Sequence, residues 1–355
     1  MRILHLVYSS SYEIGGVEVF SVDVMRALHE RGVEQFVFCR EQPHIFERLH
    51  QGGIPHEFMD FVRWKKWFNH RRVRNKIKSY APDIIHCWQP RAAIYMPGNT
   101  GVPALGWFAI SYDATKMKHY ATCDYYMGVS HEIADYIGRQ TGHSDRTFVG
   151  HTFGTLAEDS PLSREEFGIP DGKPVILMLA RMRTVKGVDV LLRAAVDLAD
   201  LDAFLLLVGD GAGMEKYQKL AQDLGIGSRV CFAGWRNDRS ALLDLADVLA
   251  APSRHEGCPA VMSEAWFKGV PLVATRAAGF REYIRHGENG MLSDIDDVDG
   301  LAKNLRAVIE DDALRSHLIA GGTHTYETQF SKEVVISNLI KSYEDIIRKG
   351  VIRNQ

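Results

Sequence analysis

A chain of 355 residues is too long for one ordinary hydrophobic core and implies two domains. Its hydrophobic share of 46% and charged share of 25% are those of a soluble globular protein, and a net charge of −3 gives no general ground for nucleic-acid binding. Five scattered cysteines (Cys39, Cys87, Cys123, Cys231, Cys258) without a C-x-x-C pair point to a reducing compartment, and no apolar run approaches the roughly 18 residues of a membrane span. The start, Met1–Val7, reads as a buried strand rather than a signal-peptide core, so a cytoplasmic protein is expected.

In chain order, strands are expected at 2–7, 34–39, 83–87, 102–108 and 124–129, with helices between most of them. Within this half, Phe61–Lys78 carries eight Lys/Arg, no acid, and interleaved aromatics. That composition fits a segment lying on an anionic membrane surface or binding a phosphorylated lipid acceptor. A solvated basic face over a core-facing aromatic stripe is the next reading, and nucleic acid the last. A stretch rich in Ser, Glu, Asp, Gly and Pro, Thr155 to Lys173, is the expected linker. Beyond it the alternation is cleaner: a strand at 174–180, a helix near 187–199, a strand at 203–208, a helix near 213–224, and strands at 229–233, 248–251 and 271–274. Ser331 to Lys349 reads as an amphipathic helix. Continuous apolar strands alternating with helices mean parallel sheets covered on both faces, and two such sets make two doubly wound α/β domains. The expected division is 1–155, 156–330, and a C-terminal helix 331–355 packing back on the first domain.

The stretch His255-Glu256-Gly257-Cys258-Pro259-Ala260-Val261-Met262-Ser263-Glu264-Ala265 places one carboxylate in a loop and a second in the second turn of a helix. With Pro259 at the first helical position, the backbone that follows aims free N–H groups at the pocket, which suits an anionic leaving group such as a nucleotide diphosphate. Two carboxylates can accept the hydroxyls of sugar and ribose. Apolar pairs Val261/Ala265 and Met262/Trp266 on either side of Glu264 put that carboxylate near the interior, where it needs a partner. Arg181 and Lys186 follow a strand and precede a helix, where cations would neutralise charge on a leaving phosphate. Alone they read as a solvated basic loop; beside Glu256 the binding reading is preferred. Gly15 and Gly16 would let backbone approach phosphates closely, or form an ordinary turn. Gly209-Asp210-Gly211 reads first as a structural turn and second as a ligand contact. Trp235 lines a base pocket or packs in the core, and both stay open. Asp200-Leu201-Asp202, Asp294-Ile295-Asp296 and Asp297-Val298-Asp299 look like metal-binding D-x-D motifs but fall at helix ends and turns, and fifteen histidines lack metal spacing, so no metal is expected.

The second half resembles the retaining glycosyltransferases of family 4, which have the GT-B fold, two Rossmann-like domains facing a central cleft. The resemblance rests on Ala180-Arg181-Met182-Arg183-Thr184-Val185-Lys186-Gly187, Val208-Gly209-Asp210-Gly211, Phe232-Ala233-Gly234, and Pro252-Ser253-Arg254-His255-Glu256-Gly257-Cys258-Pro259. It continues through Ser263-Glu264-Ala265, Gly269–Thr275 and Gly287–Leu292, with a weaker N-terminal match at Gly15-Gly16, Val19–Leu28 and Arg31-Gly32. It implies that Glu264 binds ribose hydroxyls, that Glu256 contacts the donor sugar, and that Gly257, Cys258, Pro259, Ala260 and Val261 line the donor site. Many relatives carry a His after the strand corresponding to Val102–Phe108. Here the loop reads Ala109-Ile110-Ser111-Tyr112-Asp113, leaving Tyr112 and Asp113 as candidates for sugar or acceptor contact.

The resulting expectation is a retaining, metal- and cofactor-independent glycosyltransferase. Its donor is a nucleotide-diphosphate sugar, UDP-sugar first. Its acceptor is a saccharide or lipid-linked saccharide, in lipopolysaccharide or other cell-surface glycan synthesis at the inner face of the cytoplasmic membrane. The rivals are a sugar-nucleotide epimerase of the same fold, a pyridoxal-phosphate glycan phosphorylase, and a non-catalytic glycan- or nucleotide-binding protein.

Overall fold

Ile3, Leu4, Leu6 and Val7 are all buried along Arg2–Val7 (β1), a run without polar alternation because both faces of the strand are covered. The same holds for Glu34–Cys39 (β2), Ile84–Cys87 (β4), Ala104–Phe108 (β5) and Tyr125–Gly128 (β6), while the short His56–Phe58 (β3) and Thr147–Val149 (β7) are only partly covered. The computed structural model describes residues 1–8, 16–40, 42–109, 117–154, 156 and 159–352. Within it the first seven strands form one parallel sheet in the order β3-β2-β1-β4-β5-β6-β7.

A second parallel sheet contains Val175–Leu179 (β8), Phe204–Val208 (β9), Val230–Gly234 (β10), Val248–Ala251 (β11), Leu272–Thr275 (β12) and Met291–Ser293 (β13), ordered β10-β9-β8-β11-β12-β13. In both sheets the order reverses beside the first strand, at β1/β4 and at β8/β11. Crossovers leave these two neighbours in opposite directions and open a crevice at their C-terminal ends. Register at the second reversal pairs Val248 with Ile176 and Leu249 with Leu177.

The chain divides into two compact units, Met1–Thr152 with Lys332–Gln355, and Phe153–Ser331. The helix Lys332–Lys349 belongs to the first. Its Tyr343 hydroxyl lies 2.6 Å from His86 Nδ1, its Ser337 accepts from Arg31 at 3.0 Å, and Lys332 pairs with Glu30 at 2.7 Å. Around His86 the buried sheet face is polar and aromatic. The Trp88 indole N–H donates to His5 Nδ1 (3.1 Å), which leaves His5 Nε2–H to donate to Gln35 Oε1 (3.1 Å), and Gln35 Nε2 to donate to Met25 O (2.8 Å). This chain of bonds requires His5 to be neutral. Burial pushes its pKa down to about 3 and holds His86 well below the ordinary value.

The stretch expected as a linker folds onto the second unit instead. Phe167 and Ile169 are buried in that unit's core, and the Asp159 carboxylate accepts the Ser240 N–H at 2.9 Å. Its apolar side chains supply burial that its polar composition hides.

Candidate active site

The crevice at β8/β11 is built from two loops held against each other. After β8, the Met182 N–H bonds Asp210 O at 2.9 Å and a 3₁₀ turn at Thr184–Lys186 ends at Gly187. Gly187 has φ +67, and a Cβ there would stand 1.9 Å from Pro252 O, so only glycine lets this loop lie against the segment leaving β11. The Arg254 N–H bonds Val185 O at 2.8 Å. Its guanidinium grips both oxygens of Asp189 (2.9 and 2.8 Å), reaches Asp296 at 2.7 Å, and also donates to Thr184 O. Arg254 thereby holds the Asp189 carboxyl below its ordinary pKa.

Within this frame Lys186 pairs with Glu256 through Oε1, and the Ser253 hydroxyl donates to the same oxygen at 2.8 Å. Both donors converge on Oε1, so Oε2 keeps acceptor capacity. Arg181 is exposed at the C-terminal end of β8, on the loop that carries Lys186.

Pro259 is the N-cap of the helix Ala260–Phe267 rather than its first residue, because its ψ of 117 is extended. The N–H groups of Ala260 and Val261 are therefore the first-turn donors, with no acceptor inside the helix. Met262 N–H already closes on Pro259 O at 3.1 Å. Gly257, Cys258, Ala260 and Val261 are half-buried, and Pro259 is buried. Glu264 is 1% exposed. Arg239 Nη1 lies 2.6 Å from its Oε1, yet off the line of a hydrogen bond, and neither carboxylate oxygen has an aligned donor among the described residues. Burial raises the Glu264 pKa, with Arg239 opposing. Gly154 packs on this side chain: a Cβ there would come within 2.3 Å of Glu264 Cγ.

Glu256, Lys186 and Ser253 are thus brought into direct contact, and Arg254 ties their loops together. Ser253, Arg254, Arg239 and Gly154 were absent from the expected site. Ser253 and Arg254 stand inside the Pro252–Glu256 motif and were readable there; Gly154 and Arg239 have no local signal. Gly209, at the end of β9, sits behind the β8 loop, its N–H on Gly234 O at 2.8 Å and a Cβ excluded by Ala180 O. Trp235 is 64% exposed, which rules out core packing, and its indole N–H reaches Asn237 at 3.3 Å. Gly16 begins the helix Gly16–Glu30 beside β1; Gly15, Tyr112 and Asp113 lie outside the described residues.

The D-x-D stretches make ion pairs and a helix cap. Asp200 pairs with Arg306, Asp202 with Lys173, Asp294 with Arg276 and Asp296 with Arg254, while Asp297 caps the helix Val298–Glu310 by accepting the Gly300 N–H at 2.9 Å.

In the basic segment, the helix Lys66–Tyr80 buries Asn69 and Val73. Trp64, Trp67 and Phe68 are 82%, 75% and 54% exposed, so the aromatic stripe faces solvent, contrary to the core-facing reading. Arg72 and Lys76 share Glu57 and lie over the rings of Phe38 and Phe36, and Lys65 pairs with Asp60. Arg63, Lys66, Arg71 and Lys78 have no acidic partner among the described residues. No helix among the described residues is long and apolar enough to cross a membrane.

Two doubly wound parallel sheets, the second carrying cations and carboxylates around a helix N-terminus at its reversal point, are the GT-B class of glycosyltransferase. Residues 159–325 match the family model described as glycosyl transferases group 1, and residues 14–152 that of glycosyltransferase family 4. The chain is 30% identical to the lipopolysaccharide core biosynthesis glycosyltransferase LpsE of Rhizobium meliloti, over 94% of this chain and 96% of that one. LpsD of the same organism is 29% identical over 99% and 100% of the two chains. The fold matches Anabaena Alr3699/HepE, solved in complex with UDP, with a TM-score of 0.83 at 20% identity over 97% of this chain and 100% of that one. The chain belongs to this glycosyltransferase family and is a GT-B enzyme of the bacterial cell-surface glycan type.

Proposed function

We propose that this enzyme transfers a sugar, with retention at the anomeric carbon, from a UDP-sugar to a lipid-linked glycan of the lipopolysaccharide core. The Lys186–Glu256–Ser253 cluster beside an exposed Arg181 carries the reading. Arg181 and Lys186 supply positive charge for the leaving diphosphate, so the reaction as proposed uses neither metal nor cofactor. Glu256, fixed through Oε1, offers Oε2 to a hydroxyl of the donor sugar. Glu264, buried with no aligned donor, suits ribose hydroxyls as hydrogen-bond donors. The N–H groups of Ala260 and Val261 add a helix N-terminus for phosphate.

In the front-face route the bond from the anomeric carbon to the phosphate oxygen breaks and the bond to the acceptor oxygen forms on the same face. The acceptor's proton passes to the departing phosphate. HepE was solved with UDP, and LpsE and LpsD are named for lipopolysaccharide core synthesis; both support the donor and pathway. Exposed Trp64, Trp67 and Phe68, beside Arg63 and Lys66, which have no acidic partner among the described residues, support residence of the first unit on the inner, anionic face of the cytoplasmic membrane.

A nucleotide-sugar panel screened by thermal stabilisation tests the donor, since a ligand at 100 times its Kd adds about 2.7 kcal/mol. With the donor in hand, Lys186→Ala and Glu256→Gln are each expected to lower kcat by about 100- to 1000-fold. The melting temperature should move by only a few degrees. Near-normal transfer by both variants would overturn the assignment.

A further inference from the structure

The first unit contains a cavity of about 770 Å³ walled by Arg63, Lys66, His70, Arg91, Lys118 and His119, with no carboxylate among the described residues of its lining. The four cations come from three separate stretches: Arg63 and Lys66 after β3, Arg91 after β4, and Lys118 before β6. Sequence distance hides this convergence, and the parallel sheet creates it by placing those stretches side by side. Arg63, Lys66 and Lys118 have no acidic partner among the described residues, and Asp60, next to Phe61, is taken by Lys65 at 2.9 Å. Arg91 is steadied rather than neutralised: its Nη1 donates to the Tyr8 hydroxyl at 2.5 Å and its guanidinium lies 5.1 Å from that ring's centroid. His70 Nε2 is tied to Ile94 O at 3.2 Å.

Like charges gathered in one concavity repel, and a multiply charged anion relieves that repulsion while gaining bidentate bonds from arginine. A flat bilayer surface cannot enter a concave cavity, whereas the exposed aromatics Trp64, Trp67 and Phe68 suit it. The donor diphosphate already has its own cations in the second unit. We infer that the cavity walled by Arg63, Lys66, Arg91 and Lys118 is a subsite for a phosphate group carried by the acceptor saccharide. The inference rests on the glycosyltransferase reading only in naming the acceptor as the owner of that phosphate.

The test is calorimetric titration of the full chain, with UDP saturating the second unit, by glucose 6-phosphate and by glucose. Glucose 6-phosphate should bind saturably and more weakly as salt rises. It should lose about tenfold or more in affinity in the Arg63→Gln/Lys118→Gln double variant, and glucose should not bind. Both substituted residues are exposed, and an unchanged melting temperature certifies the fold of the variant. Equal affinity in the variant, equal binding of glucose, or binding abolished by saturating UDP would each overturn the inference. Phosphatidylglycerol vesicles separate the two anion sources. The double variant should still sediment with them; loss of vesicle binding with glucose 6-phosphate binding intact would assign these cations to lipid and defeat the proposal. UDP binding in the same titration, removed by Lys186→Ala, reports separately on the donor reading.

Discussion

Glu264 is kept buried in an ion pair with Arg239 at 2.6 Å, and its carboxylate retains acceptor capacity for a further donor. Its position depends on Gly154, whose missing side chain leaves room for the Glu264 stem. Gly154→Ala is expected to displace Glu264 at a cost of about 1–3 kcal/mol, through overpacking. UDP affinity should fall by about tenfold while the circular dichroism spectrum is retained. Unchanged affinity by calorimetry would show that Glu264 takes no part in nucleotide binding. Glu256 plays a different part: it is already paired, so its value to a donor lies in the second oxygen and in a geometry set by Lys186 and Ser253.

Between elements, Arg254 joins the loop after β8, the loop after β11 and the turn before Val298–Glu310 through Thr184, Asp189 and Asp296. It is a positioning residue, acting through Lys186 and Glu256. Arg254→Lys keeps the charge but loses the planar fork, so it should not restore the site. Arg254→Lys and Arg254→Met are both expected to lower kcat/KM by about tenfold or more, and a lysine variant with full kcat/KM would argue against the clamp. The helix Lys66–Tyr80 is divided along its length. Its later cations are bound to Glu57 and the Phe36 and Phe38 rings, covering the edge of the sheet, while its start presents Trp67, Phe68 and nearby Trp64 to solvent. Trp64→Ser/Trp67→Ser should abolish co-sedimentation with phosphatidylglycerol vesicles and leave UDP binding unchanged. Equal sedimentation of variant and parent would remove the membrane role.

At the scale of the whole molecule, acid acts in opposite senses on the buried histidines of the first unit and on the buried Glu264 of the second. His5 and His86, both fully buried in the first unit, stay neutral well below the ordinary histidine value of 6.5. Below pH 6.5 the unfolded chain therefore binds protons that the folded unit refuses. Their contribution is complete above that pH and is lost as pH falls below it, for His5 down to about 3. Glu264 works the other way in the second unit, since a raised pKa lets the folded state take up its proton first. Urea denaturation between pH 7.5 and 5 is expected to show the first unit losing stability, with a shallower slope in His86→Gln. A stability independent of pH in that window would contradict the neutral cluster.

The strands β1, β2, β8 and β11 and the order of the second-unit motifs were legible from the chain, because unbroken apolar runs between helical segments admit little but a covered parallel sheet. The strands β3, β7 and β13 were not, being three residues each, too short for any period to register. The loop motifs carrying Lys186, Glu256 and Glu264 were legible too, since their residue types and spacing are local. Tertiary structure alone decided that Arg254 clamps the loops, that Gly154 and Arg239 meet Glu264, that Trp64, Trp67 and Phe68 point outward while Phe61 is buried, and that four distant cations share one cavity. Hydrophobic pattern and spacing act along the chain, whereas charge, close approach and burial act across space, after the sheet order has chosen each residue's neighbours.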